Sequence, residues 1–145
     1  MGHITVQDVR KTYQMGNSTI TALDGVSLEI EEGEFAVVLG PSGSGKTTLL
    51  NILGGLEAPD SGAVLVGGEN IAGLKNGKLT QYRRQKVGFI FQFFNLLPTL
   101  SALENVALSA EMVKTTRNER GHSSSYMAAE MLARVGLGDR TDHYP

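Results

Sequence analysis

Cysteine and tryptophan are absent from the 145 residues, proline occurs only 4 times, and neither sign of charge dominates. The missing cysteine excludes a disulfide framework, thiolate catalysis and any cysteine-based metal site. With 13 Lys+Arg against 15 Asp+Glu, the formal charge is −2. No surplus of cations is on offer for the phosphates of a strand, so nucleic acid is excluded as the main partner. No apolar run approaches the roughly 20 residues of a spanning helix. Met1-Gly2-His3-Ile4-Thr5 lacks the basic flank and apolar stretch of a secretory signal. What is present suits one globular domain, at 41% hydrophobic and 19% charged residues. Glycine is plentiful, with 18 residues, and where those glycines fall decides the reading.

Residues 3–39 read as short strands. Ser27-Leu28-Glu29-Ile30 alternates, which puts Leu28 and Ile30 on one face. Phe35-Ala36-Val37-Val38-Leu39 is apolar throughout, the pattern of a strand covered on both faces as in a parallel sheet. A helix over Lys46 to Leu53 follows, stopped by Gly54-Gly55. Ala63 to Val66 reads as a strand, Lys75 to Lys86 as a basic, solvated helix, and Val87 to Phe91 as a second core strand. Beyond Leu103 the pattern turns helical. Ala128, Met131, Leu132 and Val135 form one apolar stripe, and Lys114 to Ser125 reads as a mobile polar loop. The order is a β-rich start, an α/β middle and a helical end.

Gly40-Pro41-Ser42-Gly43-Ser44-Gly45-Lys46-Thr47 fits G-x-x-x-x-G-K-[ST] and lies between a strand pattern and a helix pattern, the context that motif requires. Its glycines let the main chain come close to a ligand. Successive N–H groups from Ser42 to Thr48 can converge on phosphate oxygens, with the positive end of a helix dipole behind them. Lys46 adds a compact charge for the outer phosphates, and the Thr47 hydroxyl suits a hard Mg²⁺ ion. The bland alternative is a glycine-rich turn joining strand to helix. The Lys-Thr pair and the flanks favour a nucleoside triphosphate.

Tyr13, GPSGSGKTTLLNILGGLEAPDSG at 40–62 and VGFIFQFFNLLPTLSALENV at 87–106 together resemble the nucleotide-binding subunit of ABC transporters. The stretch Phe91-Gln92-Phe93-Phe94-Asn95-Leu96-Leu97-Pro98 is most similar to the branch serving lipoprotein release and macrolide or peptide export. The resemblance implies an α/β fold: a P-loop NTPase core with an incomplete, mainly parallel sheet, an N-terminal antiparallel β portion and the start of a helical subdomain. On that pattern 1–34 and 59–73 belong to the β subdomain, 35–58 and 87–92 to the core, and 93–145 to the helical subdomain. It implies ATP held by Gly40, Ser42, Gly43, Ser44, Gly45, Lys46, Thr47 and Thr48, and Mg²⁺ met by Thr47 and Gln92, the glutamine of the Q-loop. Tyr13 matches the aromatic that stacks on adenine. From the residues alone, Tyr13 is equally a half-buried strand tyrosine and Gln92 a plain loop glutamine. Phe93, Phe94, Leu96 and Leu97 match a patch that meets the transmembrane subunit.

The resemblance also implies a helix opening with Leu-Ser-Gly-Gly-Gln, a strand ending in the Mg²⁺ aspartate, a catalytic glutamate and a switch histidine. None of these is found in the 145 residues, which read as an N-terminal fragment ending just before the signature. Asp24 precedes the loop and does not replace that aspartate. His3, His122 and His143 fit terminal, loop or solvated roles. The expectation is a part that binds Mg-ATP without hydrolysing it, on the cytoplasmic side of the inner membrane through a permease partner. Apolar segments short of cover imply a homodimer or larger assembly of the fragment. The alternatives are a non-catalytic module that dimerises through its incomplete sheet and, behind it, a small P-loop kinase.

Overall fold

Two long strands open the chain in the computed structural model, which describes residues 3–91, 93–112 and 121–145. β1 (Ile4–Met15) and β2 (Ser18–Ile30) form an antiparallel hairpin running from Ile4↔Ile30 to Met15↔Ser18. β3 (Ser61–Val66) pairs with the other edge of β1, and β4 (Glu69–Asn70) with β3, both antiparallel, giving the order β2-β1-β3-β4. Period-two alternation sends residues 6 and 9 to opposite faces, yet Val6 and Val9 are both buried. The register shifts between them and Asp8 takes φ 45°. That bulge turns the strand so that both valines reach one core.

Helix α1 (Lys46–Leu53) supplies the other side of that core, where Leu49 and Ile52 join Val6, Val9, Leu23, Val64 and Ile71. It ends as its glycines require: the Gly54 N–H donates to Leu50 O at 2.8 Å, and Gly55 takes φ 66°. Helix α2 (Asn76–Lys86) buries no residue and keeps its basic end exposed at Arg84 and Lys86. Two side chains fasten it to the end of α1: the Tyr82 hydroxyl donates to Leu53 O and Arg83 Nη1 to Gly55 O, each at 2.7 Å.

These elements lie in a unit spanning Met1–Phe89; Ile90–Pro145 is a second unit. There α3 (Ala102–Met112) packs on α4 (Ser124–Arg134). Ser101 and Glu104 form a reciprocal cap: the Ser101 N–H donates to Glu104 Oε2 at 2.8 Å and the Glu104 N–H to Ser101 Oγ at 3.3 Å. The next two N–H groups, of Ala102 and Leu103, donate to His143 O and Thr141 O. The chain's last residues therefore close the start of α3.

Four expectations about individual elements change. The described sheet is antiparallel throughout, and Phe35–Leu39 joins none of its ladders. Phe35 is 90% and Leu39 85% exposed. Residues 87–91 form no regular strand either, and Ile90 is fully exposed. A strand needs a ladder neighbour, and β1–β4 pair among themselves, so neither run is a strand among the described residues. Of the α4 stripe, Ala128 and Leu132 are buried while Met131 and Val135 stay largely exposed, because α3 covers only a narrow face. The loop expected over 114–125 gives way to helix at Ser124, and its residues 114–120 lie outside the described ones.

Candidate functional site

The segment from Gly40 to Thr48 enters α1 through a tight turn in which the Ser44 N–H donates to Pro41 O at 3.3 Å. Gly40, Gly43 and Gly45 all carry positive φ, 155°, 80° and 88°. At Gly45 the need is doubled, since a Cβ there would come within 2.3 Å of the Ala22 carbonyl oxygen on β2. The loop is thus pressed against the sheet at the residue that starts the helix. Gly45 is the N-cap, with no side-chain cap and no acidic residue in the first turn. The N–H groups of Lys46, Thr47 and Thr48 have no acceptor within the helix and point out of its positive end.

Lys46 folds back over the loop. Its Nζ donates to Gly40 O at 3.0 Å and Pro41 O at 2.7 Å, and lies 3.5 Å from Ser44 Oγ. An ammonium held on two carbonyls stands ready to exchange them for anionic oxygens, the stronger acceptors. Ser42 and Thr47 are exposed, and Lys46 and Thr48 half-buried. The donor set fits a polyphosphate: a row of backbone N–H groups, one ammonium and no carboxylate in the first turn. The Thr47 hydroxyl offers one hard oxygen, enough for Mg²⁺ only when phosphate and water supply the other ligands. Among the described residues no group of three His, Asp or Glu could hold a metal alone.

Tyr13 reaches this helix from β1. Its hydroxyl lies 3.5 Å from Thr48 Oγ1 and donates in a short contact to Glu57 Oε2. Asn51 Nδ2, on α1, donates to the other oxygen, Glu57 Oε1, at 2.8 Å. Lys11 Nζ sits 5.7 Å from the centre of the Tyr13 ring. It is anchored on Ala58 O at 2.9 Å and Asp60 Oδ1 at 3.1 Å. Asp60 Oδ2 in turn accepts from the Thr12 N–H and hydroxyl. Bonds from Tyr13 first, then from Asn51, and the nearby Lys11 charge hold the Glu57 carboxyl below the usual carboxylate range. The Thr12 backbone N–H, its hydroxyl and Lys11 do the same for Asp60.

Tyr13 and residues 40–48 are therefore brought to one end of α1. Gln92, the other residue expected at Mg²⁺, lies outside the described residues. Sequence reasoning missed Lys11, Asn51, Glu57 and Asp60. Glu57 and Asp60 sit in the connection between α1 and β3, residues 54–60, whose local pattern announces only a turn. Of the histidines, His122 packs its ring 4.1 Å from that of Tyr126 and His143 takes part in closing α3.

The family model described as ABC transporter matches residues 23–145. A Thermotoga maritima "Uncharacterized ABC transporter ATP-binding protein" is 48% identical over 138 residues, 95% of this chain and 57% of that protein. The "Macrolide export ATP-binding/permease protein MacB" of Hyphomonas neptunium is 44% identical over 142 residues, 98% of this chain and 21% of that protein. A solved structure described as the dimeric, post-hydrolysis state of the ATP-binding cassette MJ0796 bound to ADP and Pi is 41% identical, with a TM-score of 0.84. It is matched over 98% of this chain and 61% of that one. The chain thus spans a little over half the length of the Thermotoga relative and about a fifth of the macrolide exporter.

Proposed function

The chain belongs to the ABC transporter family, as an ATP-binding domain with the α/β P-loop NTPase fold, and from that premise we propose that its 145 residues bind Mg-ATP at Gly40–Thr48. One observation carries the reading: Lys46 Nζ is folded onto the carbonyls of Gly40 and Pro41 at the uncapped N-terminus of α1. The N–H groups of the loop and first turn bind the phosphates, Lys46 balances the outer charge, Thr47 offers its hydroxyl to Mg²⁺ and Tyr13 gives the base a flat face. Bound ATP supplies the phosphoanhydride, and Mg²⁺ the charge neutralisation, for transport work.

Calorimetric titration with Mg-ATP tests this. Lys46→Ala should weaken ATP at least tenfold and leave adenosine unchanged, because the lost charge faces the phosphates. Equal ATP affinities for the two proteins overturn the reading.

In the longer protein of this kind, the domain powers export or release of a substrate through a permease partner at the cytoplasmic face of the inner membrane. The macrolide-export relatives support that assignment, and the exposed Phe93, Phe94, Leu96 and Leu97 offer the permease an apolar surface. The 145 residues themselves do not hydrolyse ATP. They contain no Leu-Ser-Gly-Gly-Gln run, and positioning a water against bound phosphate needs more charged groups than the loop provides. A second reading, self-association of the chain through uncovered apolar segments, is favoured by the exposure of Phe35 and Leu39.

A further inference from the structure

We propose that Glu57 is a positioning residue for the nucleobase: its carboxylate, held by Asn51 of α1, fixes the Tyr13 ring in relation to the phosphate loop. The inference rests on the ATP reading above and adds a residue to it.

The geometry bridges two separate parts of the fold. Tyr13 belongs to the hairpin, where its backbone is set by pairing with Ile20 on β2. The phosphate loop belongs to α1. Glu57 lies beyond the end of that helix and accepts from both, Tyr13 at one oxygen and Asn51 at the other. A phenol ring anchored at Cβ and again at its hydroxyl can only spin about its long axis. Lys11 restrains that spin: its ammonium stands over one face of the ring, itself pinned on Ala58 O and Asp60. A base then has the opposite face to stack on. The Thr48 hydroxyl, 3.5 Å from that of Tyr13, lies one residue beyond Thr47, so platform and cradle meet at the first turn of α1. Preorganising both sites spares the ordering cost of binding and links the two ends of one ligand.

Titrating the 145-residue chain with ATP and with inorganic tripolyphosphate, which has no base, separates this role from a general one. Glu57→Ala should weaken ATP about fivefold, the cost of freeing one side chain that binding must order. Tripolyphosphate affinity should be unchanged. Tyr13→Phe keeps the ring and its packing but loses the hydroxyl, so it should give the same loss. The double variant should lose no more than either single one, because both cut one contact. Glu57→Gln retains an acceptor and should recover most of the affinity. Wild-type ATP affinity in Glu57→Ala and Tyr13→Phe, with ATP binding still lost in Lys46→Ala, overturns this inference alone. So does an equal loss for both ligands, which would mark Glu57 as a support of the loop. Unchanged ATP binding in Lys46→Ala overturns both readings.

Discussion

Gly45 stands where the glycine-rich loop proposed to hold phosphate becomes a helix and where that loop touches the sheet. Its φ of 88° and the Ala22 carbonyl 2.3 Å from where a Cβ would lie leave a side chain no room. The obstacle is backbone on a paired strand, so relief means moving the loop. Gly45→Ala should cost about 2 kcal/mol or more, read as a lower midpoint in thermal unfolding, and should abolish tripolyphosphate binding. An unchanged midpoint with intact binding would show that the loop is free to shift. Motif residues such as Gly45 and Lys46 were legible in the sequence because their spacing is local, fixed by the geometry of one turn. Glu57 was not. It meets Tyr13 across 44 residues, and nothing near it in the sequence distinguishes it from any turn carboxylate.

The same carboxylates make stability depend on pH. Glu57 and Asp60 titrate below their usual range in the folded chain, through accepted hydrogen bonds and Lys11. A carboxyl lowered on folding contributes stability above its unfolded pKa and loses it as pH falls through the folded one. The thermal midpoint should therefore fall between about pH 5 and about pH 3. Glu57→Gln, which cannot titrate, should show a shallower fall than the wild type. Parallel curves for the two proteins would show that Glu57 is held no more tightly folded than unfolded.

At the scale of elements, α3 opens on a cap that the sequence reading did not single out. Ser101-Ala102-Leu103-Glu104 has the spacing of a reciprocal cap, and both of its hydrogen bonds are formed. Ser101→Ala removes the acceptor for the Glu104 N–H at a nearly buried position. It should cost about 1 kcal/mol, whereas Ser101→Asp should be close to neutral. A wild-type midpoint for Ser101→Ala would show that the carbonyls of Thr141 and His143 carry the helix start without it. Helix α1 matched its expected bounds, since a lysine-threonine start and a double-glycine stop are local signals. The strands were harder to read. Residues 3–39 suggested short pieces, but β1 and β2 run for 12 and 13 residues. The bulge at Asp8 breaks the alternation that would have revealed β1 as one strand, and a bulge follows from pairing across a sheet rather than from neighbouring residues.

For the molecule as a whole, one tension remains between composition and cover. Phe35–Leu39 carries the pattern of a doubly covered strand, yet Phe35, Val37 and Leu39 are 90%, 63% and 85% exposed, and the segment joins no ladder of the described sheet. Large apolar side chains on alternate residues, beside N–H and C=O groups that no described strand uses, are a template for another chain. Water is a poor substitute for the missing cover, since each such side chain forgoes about 1.5–3 kcal/mol of burial. A second copy offers the same segment, and pairing two copies satisfies backbone and side chains together. We therefore expect the 145-residue chain to form a dimer or larger assembly at low micromolar concentration, through an interface of at least about 1,200 Å². Light scattering is the measurement. Because the contact would lie in this segment and not across bound nucleotide, Mg-ATP and Lys46→Ala should leave the assembly unchanged. Phe35→Asp with Leu39→Asp should shift it toward monomer. A monodisperse wild-type monomer, or an assembly that forms only with Mg-ATP, would show that these side chains are not what joins the copies.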